Sequence, residues 1–222
     1  MSIAGKIFKK KVQKLHRIWQ AQVQQQRQDL EATIPRPELQ KKHIQNTQLL
    51  VDRQELLALM PKHAVCAEIG VDKGDFSEEI LTITQPSKFY LVDAWNDVVY
   101  HNGLRTIVEN KFADKIKAGL MEMRIGLSTD MLPQFPDLFF DWVYLDTAHT
   151  YDVTIAELNI LKNKVKVGGL ITGHDYVTGY WVGGVRYGVV EAVHELCVKD
   201  NWEIVYLTNE THQHRSFAIR KM

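Results

Sequence analysis

One stretch of ten residues, Glu68-Ile-Gly-Val-Asp-Lys-Gly-Asp-Phe-Ser77, does most to limit what this chain can fold into. It closes a short apolar run, Val65–Val71, and leads into a stretch with helical spacing, Phe76–Thr84. A buried strand, a glycine loop and a helix are expected in that order. Gly70 and Gly74 let the backbone turn tightly and approach a ligand closely. Free N–H groups at the start of the helix favour a carboxylate or a phosphate. Glu68, at the strand end, can accept hydrogen bonds from a ligand ammonium. An amino-acid moiety suits both features, although the segment by itself also fits a plain strand-to-helix turn.

The same alternation continues to the C-terminus. Phe89–Ala94, Met121–Ile125, Phe139–Leu145 and Gly169–Thr172 read as strands, the last preceded by a turn at Val167–Gly168. Leu104–Phe112, Val153–Asn163 and Val189–Lys199 read as helices between or after them. Glu203–Thr208 and Ser216–Arg220 read as a final antiparallel pair. Strands alternating with helices imply a mostly parallel sheet covered on both faces. The expected fold is α/β, Rossmann-like and doubly wound, with seven strands and an antiparallel edge strand.

Before Pro61 the pattern differs. Residues 1–33 read as a helix whose Phe8, Val12, Leu15, Trp19 and Val23 share one stripe among Lys9, Lys10, Lys11, Lys14 and Arg17. Pro35 and Pro37 break it, and a second helix is expected from Pro37 to Met60. Residues 1–48 hold ten Lys/Arg against three Asp/Glu, a net of +7, and residues 49–222 a net of −7. Residues 1–48 are therefore read as a basic helical arm and linker, and 49–222 as the functional domain. The stripe favours packing on protein, in its own chain or in a homo-oligomer. A membrane surface is less favoured, and the acidic domain argues against nucleic acid.

Asp93 ends the strand after the glycine loop, where an acid typically takes the ribose hydroxyls of a nucleotide-like cofactor. Gly126-Leu-Ser128 follows the next strand, where an adenine would lie. With these residues in place, the chain resembles class I S-adenosylmethionine-dependent methyltransferases from about Leu56 onward. Residues 68–74 take the Glu-x-Gly-x-x-x-Gly form, with Asp72 where many members have a middle glycine. More narrowly, Leu145-Asp-Thr-Ala-His-Thr-Tyr151 and Gly168-Gly-Leu-Ile-Thr-Gly-His-Asp-Tyr176 are similar to motifs of the small-molecule subfamily, which methylates sugars and natural products.

The resemblance implies an O-methyltransferase acting on a small molecule. Its cofactor, S-adenosylmethionine, would meet Glu68, Gly70, Asp72, Gly74, Phe76, Ser77, Asp93, Ala94, Trp95, Ser128 and Asp146. His149, with Asp146, would act as the base, since an unperturbed histidine titrates near neutrality. Tyr151, Tyr176, Tyr180, Trp181 and Arg186 would contact the acceptor. Asp146, His174 and Asp175 would hold Mg²⁺ if a metal is used, although a histidine suits that ion poorly.

Two other readings stay open. A nicotinamide-dependent oxidoreductase could use the same crevice, but the Gly-x-Gly-x-x-Gly spacing is missing. A non-catalytic module could keep the fold without the reaction. Cys66 and Cys197 each lie in an apolar run, as buried free thiols of a cytoplasmic protein would. No apolar stretch is long enough to span a bilayer or to form the core of a secretory signal.

Overall fold

The computed structural model describes residues 3–96, 101–180 and 185–222. The chain forms two compact units, Met1–Arg36 and Pro37–Met222. The first is a single helix, α1 (Ile3–Thr33), rich in Lys, Gln and Ala and uninterrupted until the prolines. On its stripe, Val12, Leu15 and Trp19 are 48%, 65% and 59% exposed.

In the second unit, residues 37–60 do not form the expected helix. Pro35 and Pro37 hold the chain extended, a single 3₁₀ turn follows at Lys41–His43, and β1 (Gln48–Leu50) pairs in parallel with a strand near the C-terminus. Only α2 (Arg53–Ala58) is helical, started by the Asp52 side chain accepting from the Glu55 N–H. Helical spacing in this segment loses to a long-range strand pairing that no local pattern announces.

Strands and helices then alternate. They run β2 (Val65–Ile69), α3 (Asp75–Thr84), β3 (Lys88–Asp93), α4 (Asn102–Lys111), α5 (Ala113–Lys117), β4 (Met121–Ile125), α6 (Ser128–Met131) and β5 (Phe140–Leu145). There follow α7 (Tyr151–Lys164), β6 (Val165–Gly173), the small hairpin β7 (Gly179–Tyr180) and β8 (Val185–Arg186), α8 (Val189–Asp200), β9 (Trp202–Thr208) and β10 (Phe217–Lys221).

The main sheet has the order β1-β9-β10-β6-β5-β2-β3-β4. It is doubly wound and mostly parallel, as expected, with two corrections. Among the described residues it has eight strands rather than seven, because β1 adds to the β9 edge. Its antiparallel strand, β10, lies inside the sheet between β6 and β9 rather than at an edge. The expected turn at Val167–Gly168 is instead an irregularity within β6, where the register against β5 shifts.

Each central strand is apolar on both sides. Along β5, Val143 and Leu145 pack with Leu158, Leu161 and Val193 of α7 and α8. Trp142 and Tyr144 pack on the other face with Leu56, Leu57, Ile80 and Val108 of α2, α3 and α4. Cys66 and Cys197 are buried free thiols. The chain leaves β2 for β3 and β4 on one side and returns to β5 on the other. That reversal opens a crevice at the C-terminal ends of β2 and β5, where such sheets bind ligands.

Candidate active site

A cleft of about 570 Å³ lies at this reversal, lined by the strand ends and the loops that follow them. Its floor is the glycine loop. Gly70 has φ 89°, and a Cβ there would stand 1.8 Å from the Asp146 carbonyl oxygen. Gly74 (φ 78°) caps α3 in the left-handed region, with Phe112 only 2.8 Å from where a Cβ would be. Asp72, in place of a middle glycine, is left-handed as well, at φ 54°. Of the eight non-glycine residues with positive φ among those described, four (Asp72, Trp95, His149 and Asp175) belong to this cleft or its rear wall. Such conformations persist only where the surroundings impose them.

Asp93 organises the loop. Its carboxylate accepts from the Val71 N–H (2.7 Å), the Asp72 N–H (3.1 Å) and the Trp95 N–H (2.9 Å). The Trp95 indole donates to the Asp72 carbonyl at 2.8 Å and is itself buried. Trp95 therefore supports the loop, and Ala94 lines the cleft beside it. Glu68 is buried and accepts from the Ser77 hydroxyl. Burial, with Asp146 and Asp93 adding to it, pushes its carboxyl well above the usual range.

Arg53 was not anticipated. It lines the cleft, stacks over the Phe76 ring at 4.4 Å, and its buried Nε has no hydrogen-bond partner among the described residues. Nothing local marks it, because α2 is brought here by β1.

At the far end, Ser128 and Thr147 both donate to Glu157, a fully buried carboxylate on α7. Burial raises Glu157 to about 7, against the opposing effect of those hydroxyls. Glu157 also escaped the sequence reading. It sits mid-helix, four positions after Val153 and four before Leu161, so its spacing places it on the apolar face, and a lone acid there is the signal that could have found it.

Asp146 and His149 follow β5, and His174 and Asp175 follow β6. His149 Nε2 lies 3.0 Å from Asp146 Oδ1 and 2.8 Å from Asp175 Oδ2. Burial alone would lower the His149 pKa, but the two carboxylates outweigh it and raise it to about 9. The expected titration near neutrality is thus displaced upward, and His149 is mostly imidazolium at pH 7. Asp175 is buried, yet its histidine partners hold it well below the usual carboxylate range. It also bonds His214, from the loop before β10.

Asp146, His149 and Asp175 each offer one ligand atom, all within 4.8 Å of one another. His174 is not in that group: its Nδ1 stands 3.5 Å and 3.7 Å from the carboxylates of Asp175 and Asp146, and its buried Nε2 has no partner among the described residues. The donor set does not fit Mg²⁺, which prefers oxygen ligands, and an imidazole already bonded to both carboxylates stands where the cation would be.

Of the residues expected to meet the acceptor, the three whose side chains are described, Tyr151, Tyr176 and Arg186, do not line the cleft. The Tyr151 hydroxyl donates to Glu195 at 2.8 Å, and the Tyr176 hydroxyl bonds His194 at 2.6 Å, so both turn toward α8. Arg186 pairs with Glu191 and donates to the Thr178 carbonyl. Trp181 and the side chains of Tyr180 and Phe8 lie outside the described residues. Tyr187, not singled out in the sequence as a contact, places its ring 4.9 Å from that of His149.

Residues 67–176 match the family model described as a methyltransferase domain. This match sets aside the nicotinamide reading. No curated protein matches the sequence. Among solved structures, the chain is similar to the pyocyanin biosynthetic protein PhzM, with a TM-score of 0.58 and 11% identity over 76% of this chain and 54% of that one. It is also similar to the O-methyltransferase TomG from Streptomyces achromogenes, solved with SAM and involved in tomaymycin synthesis, with a TM-score of 0.56 and 20% identity over 77% and 80% of the two chains. An rRNA methylase from Streptococcus thermophilus matches with a TM-score of 0.55 and 12% identity over 76% and 94%. At these identities the likeness concerns the fold. The chain spans little more than half of PhzM, at 54%, and of a spermidine synthase from Thermotoga maritima, at 57%.

Proposed function

With residues 67–176 forming a methyltransferase domain on the fold of the class I S-adenosylmethionine-dependent enzymes, we propose that this chain methylates a hydroxyl of a small molecule, such as a sugar or natural product, and needs no metal to do so. The observation that carries the reading is the cleft itself. It joins a glycine loop, a buried acid and the Arg53 guanidinium, whose buried Nε has no hydrogen-bond partner among the described residues, at one end to a carboxylate–histidine pair at the other.

The residues fit S-adenosylmethionine. The cleft beside the Gly70–Gly74 loop admits the amino-acid portion, whose ammonium Glu68 accepts, and whose carboxylate meets the loop N–H groups and Arg53. Asp93 retains lone pairs for the ribose hydroxyls while holding the loop. Ser128, fixed by Glu157, borders the adenine end. When bound, the cofactor supplies an electrophilic methyl group on a sulfonium. Asp146 and His149 orient the acceptor hydroxyl, and neutral His149 takes its proton as the oxygen forms its new bond. Tyr187 flanks the imidazole and offers a ring face to an acceptor.

Isothermal calorimetry with S-adenosylhomocysteine tests the cofactor site: micromolar affinity, roughly −8 kcal/mol, is expected. The absence of heat and of any thermal shift at millimolar ligand would refute it. Activity against a panel of hydroxylated acceptors, unchanged by a chelator, tests the metal-free reaction.

A further inference from the structure

We propose that helix α1 binds the surface of an anionic lipid bilayer, lying in its plane. The proposal is independent of the chemistry in the cleft. It rests on three observations about one helix.

The first is an apolar stripe open to its surroundings. Val12, Leu15, Ile18 and Trp19 are 48%, 65%, 46% and 59% exposed. They fall on one side at helical spacing, with a tryptophan among them, a side chain whose ring suits the boundary between acyl chains and headgroups. The second is the placement of charge. Lys10 and Arg17 lie opposite the stripe, Lys9 and Lys14 lie at its two flanks, and Lys11 lies within it, one turn before Leu15. Flanking lysines can bury their stems against lipid while their ammonium groups reach anionic headgroups. The third is the absence of acids: no Asp or Glu occurs in residues 3–28, and Asp29 is the first.

This last feature separates the possible occupants. Two copies of α1 packed through the stripe would bring flanking lysines against lysines, with no carboxylate nearby to pair them. A nucleic acid would engage the basic side and leave the stripe in water. Crossing the membrane is not open to it, since no described helix is long and apolar enough to do so. An anionic bilayer satisfies both sides of the helix at once.

Flotation of the full chain with phospholipid vesicles tests this. Vesicles with about one third anionic lipid should carry the protein, and purely zwitterionic vesicles should carry at least about tenfold less. Binding should also fall at about 1 M salt, where charges are screened beyond about 3 Å. The double variant Leu15→Ser/Trp19→Ser keeps every charge, and Lys9→Gln/Lys10→Gln/Lys11→Gln keeps the stripe. Each should lose at least about tenfold in binding while the near-ultraviolet circular dichroism of the chain's core stays unchanged. Three results would overturn the proposal. They are no flotation with anionic vesicles at low salt, flotation indifferent to the serine variant, and a stripe-dependent dimer in light scattering whose vesicle binding is no stronger than that of the serine variant.

Discussion

His149 and Asp175 meet across the ends of two neighbouring strands, Nε2 to Oδ2 at 2.8 Å. β5 and β6 pair Leu145 with Gly173, so the residues just beyond each strand are brought side by side. With Asp146 on its other side, His149 carries its proton up to a pKa of about 9. Turnover should therefore climb with pH and level off near 9, because only the neutral imidazole accepts a proton. His149→Gln should reduce turnover by about 10²–10⁴-fold with S-adenosylhomocysteine affinity nearly unchanged. A pH–rate profile that is flat from neutrality to 9 would remove His149 as the base.

The same shift makes a stability prediction of definite sign. The folded pKa of His149 lies above its unfolded value of 6.5, so the stability it contributes is complete below that pH and is lost as pH rises through about 9. Asp175, held low, contributes above its unfolded value of 3.8 and loses that contribution only in stronger acid. The unfolding temperature should fall as pH rises from about 6.5 to 9, and His149→Gln should remove much of that limb while destabilising the chain by about 1–3 kcal/mol near neutrality.

Gly70 and Gly168 form a matched test of the cleft floor. Both have positive φ, 89° and 78°, so alanine is strained at either. At Gly168 nothing lies within 4 Å of the added carbon, whereas at Gly70 the Asp146 carbonyl stands 1.8 Å away. Gly168→Ala should cost about 1–2 kcal/mol, the strain alone. Gly70→Ala should cost clearly more and abolish cofactor binding, since β2 and β5 must separate to admit it. Equal unfolding midpoints in urea would contradict this.

Arg53 and Asp93 should separate charge recognition from loop support. Arg53→Met keeps the contact with the Phe76 ring and removes only the cation, so cofactor affinity should fall by about 1–3 kcal/mol with stability nearly constant. Asp93→Ala frees three backbone N–H groups and should lower both affinity and stability. Calorimetry paired with thermal unfolding distinguishes the two, and an Arg53→Met chain that binds as tightly as the parent would place the carboxylate elsewhere.

These residues also mark how far the sequence could be read. Gly70, Gly74, Asp93, Asp146 and Asp175 were legible because each sits at a strand's C-terminal end, where the alternating pattern itself defines the ligand side. The alternation of strands and helices from β2 onward, the final antiparallel pair and the buried cysteines followed from the same apolar pattern. What was hidden depends on contacts between distant segments. β1 forms because it meets β9, and it carries Arg53 to the cleft. β10 inserts between β6 and β9, and the loop before it delivers His214 to Asp175. Tyr151 and Tyr176 sit in the expected motifs, yet α8 offers their hydroxyls Glu195 and His194.

Glu157 offers the last test, because against its burial the charge has two hydroxyl donors and, as a smaller effect, the His149 imidazolium. Its carboxyl is fully buried, with Ser128 and Thr147 as its hydrogen-bond donors, and its pKa is raised from 4.5 to about 7. An acid raised in this way binds its proton more tightly folded than unfolded. Its contribution to stability should therefore decline as pH rises from about 4.5 to 7 and stay level above it. Glu157→Gln keeps a carbonyl oxygen to accept from one hydroxyl and removes the charge. The variant should lose the decline, and near pH 8 it should be as stable as the parent or more so. If the carboxylate also fixes the loops carrying Ser128 and Thr147, the parent's affinity for S-adenosylhomocysteine should change across the same pH interval, and the variant's should not. Thermal unfolding and calorimetry at pH 5 and 8 measure both. A parent whose stability and affinity are constant between those values would show that Glu157 stays ionised, with its two hydroxyls fully compensating its burial.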